Sequence, residues 1–383
     1  MKKNLLAAIL LSAACGSNPP PTTTTPSTGT GTETASSTTS EQTSGAQPAS
    51  VSMSTKGKPE YGTFGFDTNG MDKKTAPGQS FYNFANGGWV KATPIPADKS
   101  NYGMFTVLSD KSDERTKEII LNAKGAQGTD AQRIADFYGS FMDEAAIEKA
   151  GIEPIKGDLA KIDAIKDKNA LVLAFAANSR QMDNTPFETG VAQDDKDPEH
   201  YIAVLGQGGL GLPDRDMYDA KNKQFEPMRQ GYKKYLENML TLAGAKDAAK
   251  KAAAVYALEE KIAKTHWTRI QNRDPQKTYN KMTMAELQKL APSVDWKSWS
   301  KVVGYEGQTA INVNQPTAIT GIAKLVKSES LGVWKDYMTV HLVSDAAPFL
   351  SKKFVDTRFE FYGKTLSGTP ELKARWKRGV DYV

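Results

Sequence analysis

Only one cysteine, Cys15, and three histidines occur among the 383 residues. A single thiol excludes an intrachain disulfide, so packing alone must hold the folded part together. The histidines, His200, His266 and His341, are followed by Tyr201, Trp267 and Leu342. No His-Glu-x-x-His segment can therefore be written, and that is the pattern that sets two imidazoles on one helical face to hold zinc. Gly-x-Ser-x-Gly is absent too, which removes the usual strained-turn presentation of a serine nucleophile. Neither sign of charge dominates: 49 basic residues are interleaved with 44 acidic ones, for a net charge of +5. That balance describes a solvated surface, and no arginine-rich run or RNA-type aromatic motif argues for nucleic acid as a partner. No period of 20 to 50 residues recurs, which argues against a solenoid.

The amino terminus differs in kind from the rest. Lys2 and Lys3 precede a short apolar stretch, Leu5 to Leu11, and then Ser12-Ala13-Ala14-Cys15. The stretch is too short to span a bilayer, and small residues precede a cut after residue 14. It resembles a bacterial lipoprotein signal, with Ser12 where a leucine is usual. Residues 1–14 are expected to be a signal peptide and Cys15 the lipidated first residue of an exported chain. The acyl chains would anchor it to a cell-envelope membrane, at the bacterial periplasm or cell surface. Residues 15–60 are rich in Thr, Ser, Pro and Gly and offer too little apolar surface to offset ordering entropy, so they read as a disordered tether.

Residues 61–383 read as a mainly α domain with a few short strands. Their length exceeds what one core usually organises and suggests two lobes. Thr129 and Gln132 form a capping-box pattern before a stripe of Ile134, Phe137, Tyr138, Phe141 and Met142. Ile155, Leu159, Ile162 and Ile165 make a second stripe. Met228, Tyr232, Tyr235, Leu236, Met239 and Leu242 make a third, stopped by Gly244. Residues 247–269 are alanine-rich and helix-forming. Thr283 with Glu286 is another capping box, and 331–362 predicts one helix or two broken near Pro348. Thr369-Pro370-Glu371 predicts a capped final helix with Trp376 and Val380 on an apolar face that has no partner downstream. Strand signals are confined to 200–205 and 311–313.

Several motifs invite stronger readings. Gly206, Gly208 and Gly211 satisfy G-x-G-x-x-G after a strand, but Leu212-Pro213-Asp214 follows where a dinucleotide site needs a helix. A tight glycine turn at a close backbone approach fits better. His266 lies six and seven residues from Glu260 and Glu259, the wrong spacing for a helical metal pair, and reads as structural. Asp194, Asp195 and Asp197 lack the EF-hand spacing and read as a solvated loop.

The ordered blocks Phe81-Tyr82-Asn83-Phe84-Ala85-Asn86-Gly87-Gly88-Trp89, Ile95-Pro96-Ala97-Asp98 and Tyr102-Gly103-Met104-Phe105 resemble the opening of the M13 (neprilysin-like) zinc metallopeptidases. Residues 207–216, Arg273-Asp274-Pro275 with Thr278-Tyr279, and Phe361-Tyr362-Gly363 through Arg378 match as well. The resemblance implies an exported enzyme cutting oligopeptides with one zinc, built from two largely helical lobes around a chamber. It implies that this chain is the N-terminal, chamber-forming lobe, with the catalytic lobe largely missing. The zinc motif of the family follows the matched blocks, so catalytic and metal residues are expected to be none here, and zinc to belong to the complete enzyme. The chain is expected to be truncated before that motif and inactive alone, its partners being oligopeptides and the missing catalytic half. Relatives that favour a free substrate carboxylate carry an arginine before the Tyr-Gly pair. Asn101 stands there, so the resemblance makes Asn101 a substrate-cleft candidate and implies endopeptidase cleavage. A non-catalytic, membrane-tethered peptide-binding lipoprotein is the alternative expectation.

Overall fold

The structure, a computed structural model, describes residues 68–180 and 184–383. The expected signal peptide, Cys15 and the expected tether lie outside the described residues. The chain divides into two compact units, with the boundary between Pro94 and Ile95.

In the smaller unit, a 3-10 turn (Thr68–Gly70) precedes helix α1 (Phe81–Ala92). Ser80 caps α1 by accepting from the Asn83 N–H. Gly87 and Gly88 let the helix meet the segment before it. A Cβ on Gly88 would lie 2.8 Å from the Met71 carbonyl, and one on Gly87 2.8 Å from Asp72 Cβ. Lys91 then reaches Asp72 at 2.7 Å.

Among the described residues the larger unit holds fifteen more α-helices: α2 (Met104–Asn122), α3 (Asp130–Met142), α4 (Glu144–Ala150), α5 (Lys156–Asp163), α6 (Lys168–Ser179), α7 (Glu226–Leu242), α8 (Ala248–Thr265), α9 (Arg269–Asn272), α10 (Pro275–Thr278), α11 (Met284–Leu290), α12 (Trp296–Val303), α13 (Pro316–Ser328), α14 (Leu331–Ala346), α15 (Lys352–Arg358) and α16 (Arg375–Tyr382). A mixed four-stranded sheet lies among them, made of β1 (Phe187–Asp194), β2 (Asp197–Gln207), β3 (Lys281–Met282) and β4 (Ile311–Val313) in the order β1-β2-β4-β3. β1 and β2 form an antiparallel hairpin, Phe187 opposite Gln207, with a bulge at Gln193/Asp194. β4 runs parallel to β2, Ala203 opposite Ile311, and antiparallel to β3. The mainly α class with few strands is the observed one. β1 was not legible because only Phe187 and Asp194 along it are buried, so it carries no apolar alternation.

One contiguous core runs from Ile155 to Phe361, so the length argument for two lobes does not divide this unit. α7 packs on α8, and α8 packs on α13 and α14. Trp296, Trp299 and Trp334 are fully buried in it. A satellite cluster joins Ile120 of α2 and Tyr138 of α3 to Val380 of α16, with Trp376 against it. The final apolar stripe is therefore covered, by residues more than 230 positions upstream, which no local pattern can reveal. Lys117 lies 4.0 Å over the Trp376 ring.

Some local expectations need correction. Thr129 caps α3, but Gln132 accepts from the Gly128 N–H instead of closing the box on Thr129. The Thr283–Glu286 box is complete. The alanine-rich helix stops at Thr265, where His266 turns extended. Residues 331–362 break at a 3-10 turn, Ala347–Phe349, around Pro348, and continue as α15 and a π-helical stretch, Phe359–Leu366. Thr369-Pro370-Glu371 caps nothing: α16 starts at Arg375, because the Glu371 N–H is drawn to the Ala97 carbonyl at 2.9 Å.

Candidate functional site

The glycine-rich segment after β2 is the centre of the larger unit's polar architecture. β2 ends at Gln207, and no helix starts until a 3-10 turn at Arg215–Tyr218, so there is no βαβ unit and no helix terminus for a pyrophosphate. What the glycines permit is close approach. A Cβ on Gly208 would lie 2.6 Å from the Thr185 carbonyl, one on Gly209 2.6 Å from the Tyr337 hydroxyl, and one on Gly211 1.7 Å from the Tyr232 hydroxyl. Gly209 also sits at φ +86, which favours glycine.

Nearly every backbone group of this loop is claimed by a side chain. The Gly209 N–H donates to Asn184 Oδ1 at 3.1 Å, and Asn184 Nδ2 donates to the Leu210 carbonyl at 3.0 Å. Tyr337 donates to the Gly209 carbonyl and Tyr362 to the Gly211 carbonyl. The Gly211 N–H points to Tyr218 Oη and to Glu259 Oε2.

Glu259, on α8, is the hub beneath the loop and is completely buried. Its Oε2 accepts from Tyr218 at 2.6 Å, and its Oε1 from Tyr232 at 2.9 Å. His341 of α14 lies 2.9 Å from Oε1 through Nε2. Asn184 Nδ2 approaches His341 Nδ1 at 3.3 Å, so the network assigns the Nε2–H tautomer, donating to the carboxylate. A buried carboxylate with four donors is fully satisfied, and the arrangement stabilises only while every member is present. Burial and the neighbouring carboxylate drive the Tyr218 and Tyr232 phenols well above their ordinary pKa, so both remain donors. Sequence spacing could not pair Glu259 with His341, 82 positions apart. The signal present was indirect: Tyr232, Tyr235 and Tyr337 occupy apolar helix faces, and buried tyrosine hydroxyls need acceptors.

Above the loop opens a cavity of about 680 Å³ whose walls include Glu188, Gln207, Arg215, His266, Trp267 and Arg269. That volume lies within the range of ligand pockets. His266 is buried and its Nε2 lies 3.1 Å from the Gly208 carbonyl. Desolvation first, with Arg215 nearby, pushes its pKa down to about 4, so it stands neutral in this wall. The structural role expected for His266 fits this position, although it borders the cavity. Arg215 donates to the His266 carbonyl, and Arg269 pairs with Asp214.

Other sequence candidates lie elsewhere. Asn101 is exposed in the stretch before α2 and is not among the residues lining this cavity. His200 is an exposed side chain 2.9 Å from Asp197. The acidic trio is a hairpin turn rather than an open loop. Asp194 is buried and accepts from Lys281 at 2.7 Å, the Lys196 N–H at 3.1 Å and Tyr279 at 2.8 Å, and these bonds hold its carboxyl down at about 2. The three histidines thus face three different neighbourhoods. Among the described residues no group of three or more His, Cys, Asp or Glu is placed to hold a metal, so these residues do not fit a zinc site.

Comparison with known proteins agrees with this architecture. The family model for peptidase family M13, N-terminal part, matches residues 77–383. Endothelin-converting enzyme-like 1 of Rattus norvegicus is 30% identical over 330 residues, covering 80% of this chain and 42% of its own length. The inhibitor complex of the Mycobacterium tuberculosis zinc metalloprotease Zmp1 superposes with a TM-score of 0.80 at 34% identity, over 83% of this chain and 49% of that one. PepO from Lactobacillus rhamnosis shares the fold, with a TM-score of 0.68 at 19% identity. The chain spans less than half the length of these relatives. By its sequence match from residue 77 onward and by its helical lobe, the chain belongs to peptidase family M13.

Proposed function

We propose that residues 61–383 form the chamber wall of an M13-type zinc metalloendopeptidase acting on oligopeptides, and that zinc and its ligands are supplied by a catalytic half outside these 383 residues. One observation carries this reading. The M13 match extends through residue 383, while no His-Glu-x-x-His segment and no described metal cluster accompany it. In the complete enzyme zinc would act as a Lewis acid on the scissile carbonyl. The residues described here do other work: the Glu259 network fixes the glycine-rich loop, and that loop shapes a cavity a peptide side chain can enter. The purified chain is expected to hold no stoichiometric zinc by elemental analysis and to leave a quenched oligopeptide intact. Zinc-dependent cleavage by the purified chain would sink this reading.

Two finer assignments accompany it. Asn101, in place of an arginine, leaves no fixed cation for a substrate carboxylate at that position, so internal cleavage is favoured over removal of a C-terminal dipeptide. Export with lipidation at Cys15 rests on the signal-like residues 1–14 and the cysteine that follows them. Cys15→Ser would then move the protein from the membrane fraction to the soluble fraction. Unchanged fractionation would refute the anchor.

A further inference from the structure

The charges in the cavity wall are matched with one exception. Arg269 is paired with Asp214, and Arg215 donates to the His266 carbonyl while standing 3.5 Å from Asp216. Gln207 and Trp267 satisfy each other: the Trp267 N–H donates to Gln207 Oε1 at 2.7 Å, and Gln207 Nε2 donates back to the Trp267 carbonyl. His266 is neutral there. Glu188 remains. It is the second residue of the edge strand β1, exposed at the cavity yet hemmed in by its walls, and among the described residues it has no ion pair and no side-chain hydrogen bond. Burial alone raises its carboxyl above the ordinary range, and no basic group acts to lower it.

The space before this carboxylate is kept open by glycine. A Cβ on Gly206 would already lie 3.7 Å from Glu188 Oε2, and one on Gly208 3.4 Å from Glu188 Cβ. Larger side chains at either position would fill the approach that the loop leaves clear. A carboxylate in a walled cavity, without a cation and with open space in front, is an electrostatic vacancy for a positive guest. An anionic guest finds no such opening, because both arginines are already engaged. The Trp267 indole in the same wall offers apolar cover for the methylene stem that a basic side chain carries.

We propose that this cavity is a subsite for a lysine or arginine side chain of a bound oligopeptide, with the Glu188 carboxylate as its counter-charge. The assignment rests on the peptide-chamber reading and adds the class of side chain that the chamber prefers. The energetic scale is that of a partly solvated charge pair, about fivefold in affinity.

The test is a titration of the purified full chain, followed by fluorine NMR, with two short fluorinated peptides. They are identical except that one carries arginine where the other carries citrulline, which has the same shape without the charge. Wild type is expected to bind the arginine peptide about fivefold more tightly. Glu188→Gln is expected to bring the two affinities together by weakening only the arginine peptide, with circular dichroism unchanged. Equal binding of both peptides to wild type would overturn the subsite and leave the chamber reading standing. A preference that survives Glu188→Gln would assign the recognition to another group and also overturn it. Binding of neither peptide would remove both readings. The wild-type comparison needs no variant, so a folding defect in Glu188→Gln does not blunt the test.

Discussion

Replacing Gly211 by alanine inserts a single methyl group at the most crowded of the described glycines. Its Cβ would lie 1.7 Å from the Tyr232 hydroxyl and 2.4 Å from that ring's Cζ. Neither partner has room to yield, because Tyr232 and Glu259 are both fully buried and bonded to each other at 2.9 Å. Retreat of the ring breaks its bond to the carboxylate, and retreat of the loop breaks the Gly211 N–H bonds and the Tyr362 bond to the Gly211 carbonyl. Overpacking costs about 1–3 kcal/mol, and a buried polar group left without its partner costs about 1–3 kcal/mol more. The expected loss is about 4 kcal/mol, or roughly 6–8 °C in Tm for a unit of this size. Gly206→Ala is the matched control in the same motif, since its nearest neighbour would be 3.6 Å away. Its expected effect is under about 1 kcal/mol. Urea unfolding followed by tryptophan fluorescence measures both. A Gly211→Ala loss below about 1 kcal/mol, or equal losses for the two variants, would refute the argument that the glycines serve close approach to the Glu259 network.

Three further outcomes follow from other parts of the structure. His341→Ala leaves the buried Glu259 carboxylate short of a donor and should cost about 1–3 kcal/mol. A double-mutant cycle with Glu259→Gln should show coupling above about 1 kcal/mol, and simple additivity would deny the pair. His266 binds protons less readily folded, at about 4, than unfolded, near 6.5, so the unfolded chain holds more protons in between. Stability is therefore fully present above pH 6.5 and declines as pH falls toward 4, by up to roughly 3 kcal/mol, and His266→Gln should flatten that slope in urea titrations across the window. Val380→Ala, in the satellite cluster, should cost about 1–3 kcal/mol and raise amide exchange across 375–382, while unchanged exchange would mean that α16 is held by something other than that cluster.

Much of the helical content was legible because its causes are local. Thr283 and Glu286 close their box within three residues, Gly244 ends α7, and Pro348 interrupts 331–362 where its missing N–H requires. The M13 resemblance was carried in the same way, by contiguous blocks such as Asn86-Gly87-Gly88-Trp89, whose glycines turn out to serve the close passage of α1 over residues 70–72. The absence of a His-Glu-x-x-His helix was legible in the same local way, because none of the three histidines is followed by glutamate.

Other features were set only by the tertiary structure. β1 has almost no buried side chains, so it exists because β2 offers it a partner. The start of α16 was misplaced because Glu371 answers to Ala97, far upstream. The stripe of Trp376 and Val380 looked open because its cover, Ile120 and Tyr138, belongs to the other end of the unit. Glu259 and His341 meet because α8 packs on α14, and their network fixes the glycine loop that lines the cavity. Hydrogen-bond caps and turn residues act within a few positions and leave a signature in sequence. Charge pairing and burial act through space and leave none until the chain has folded.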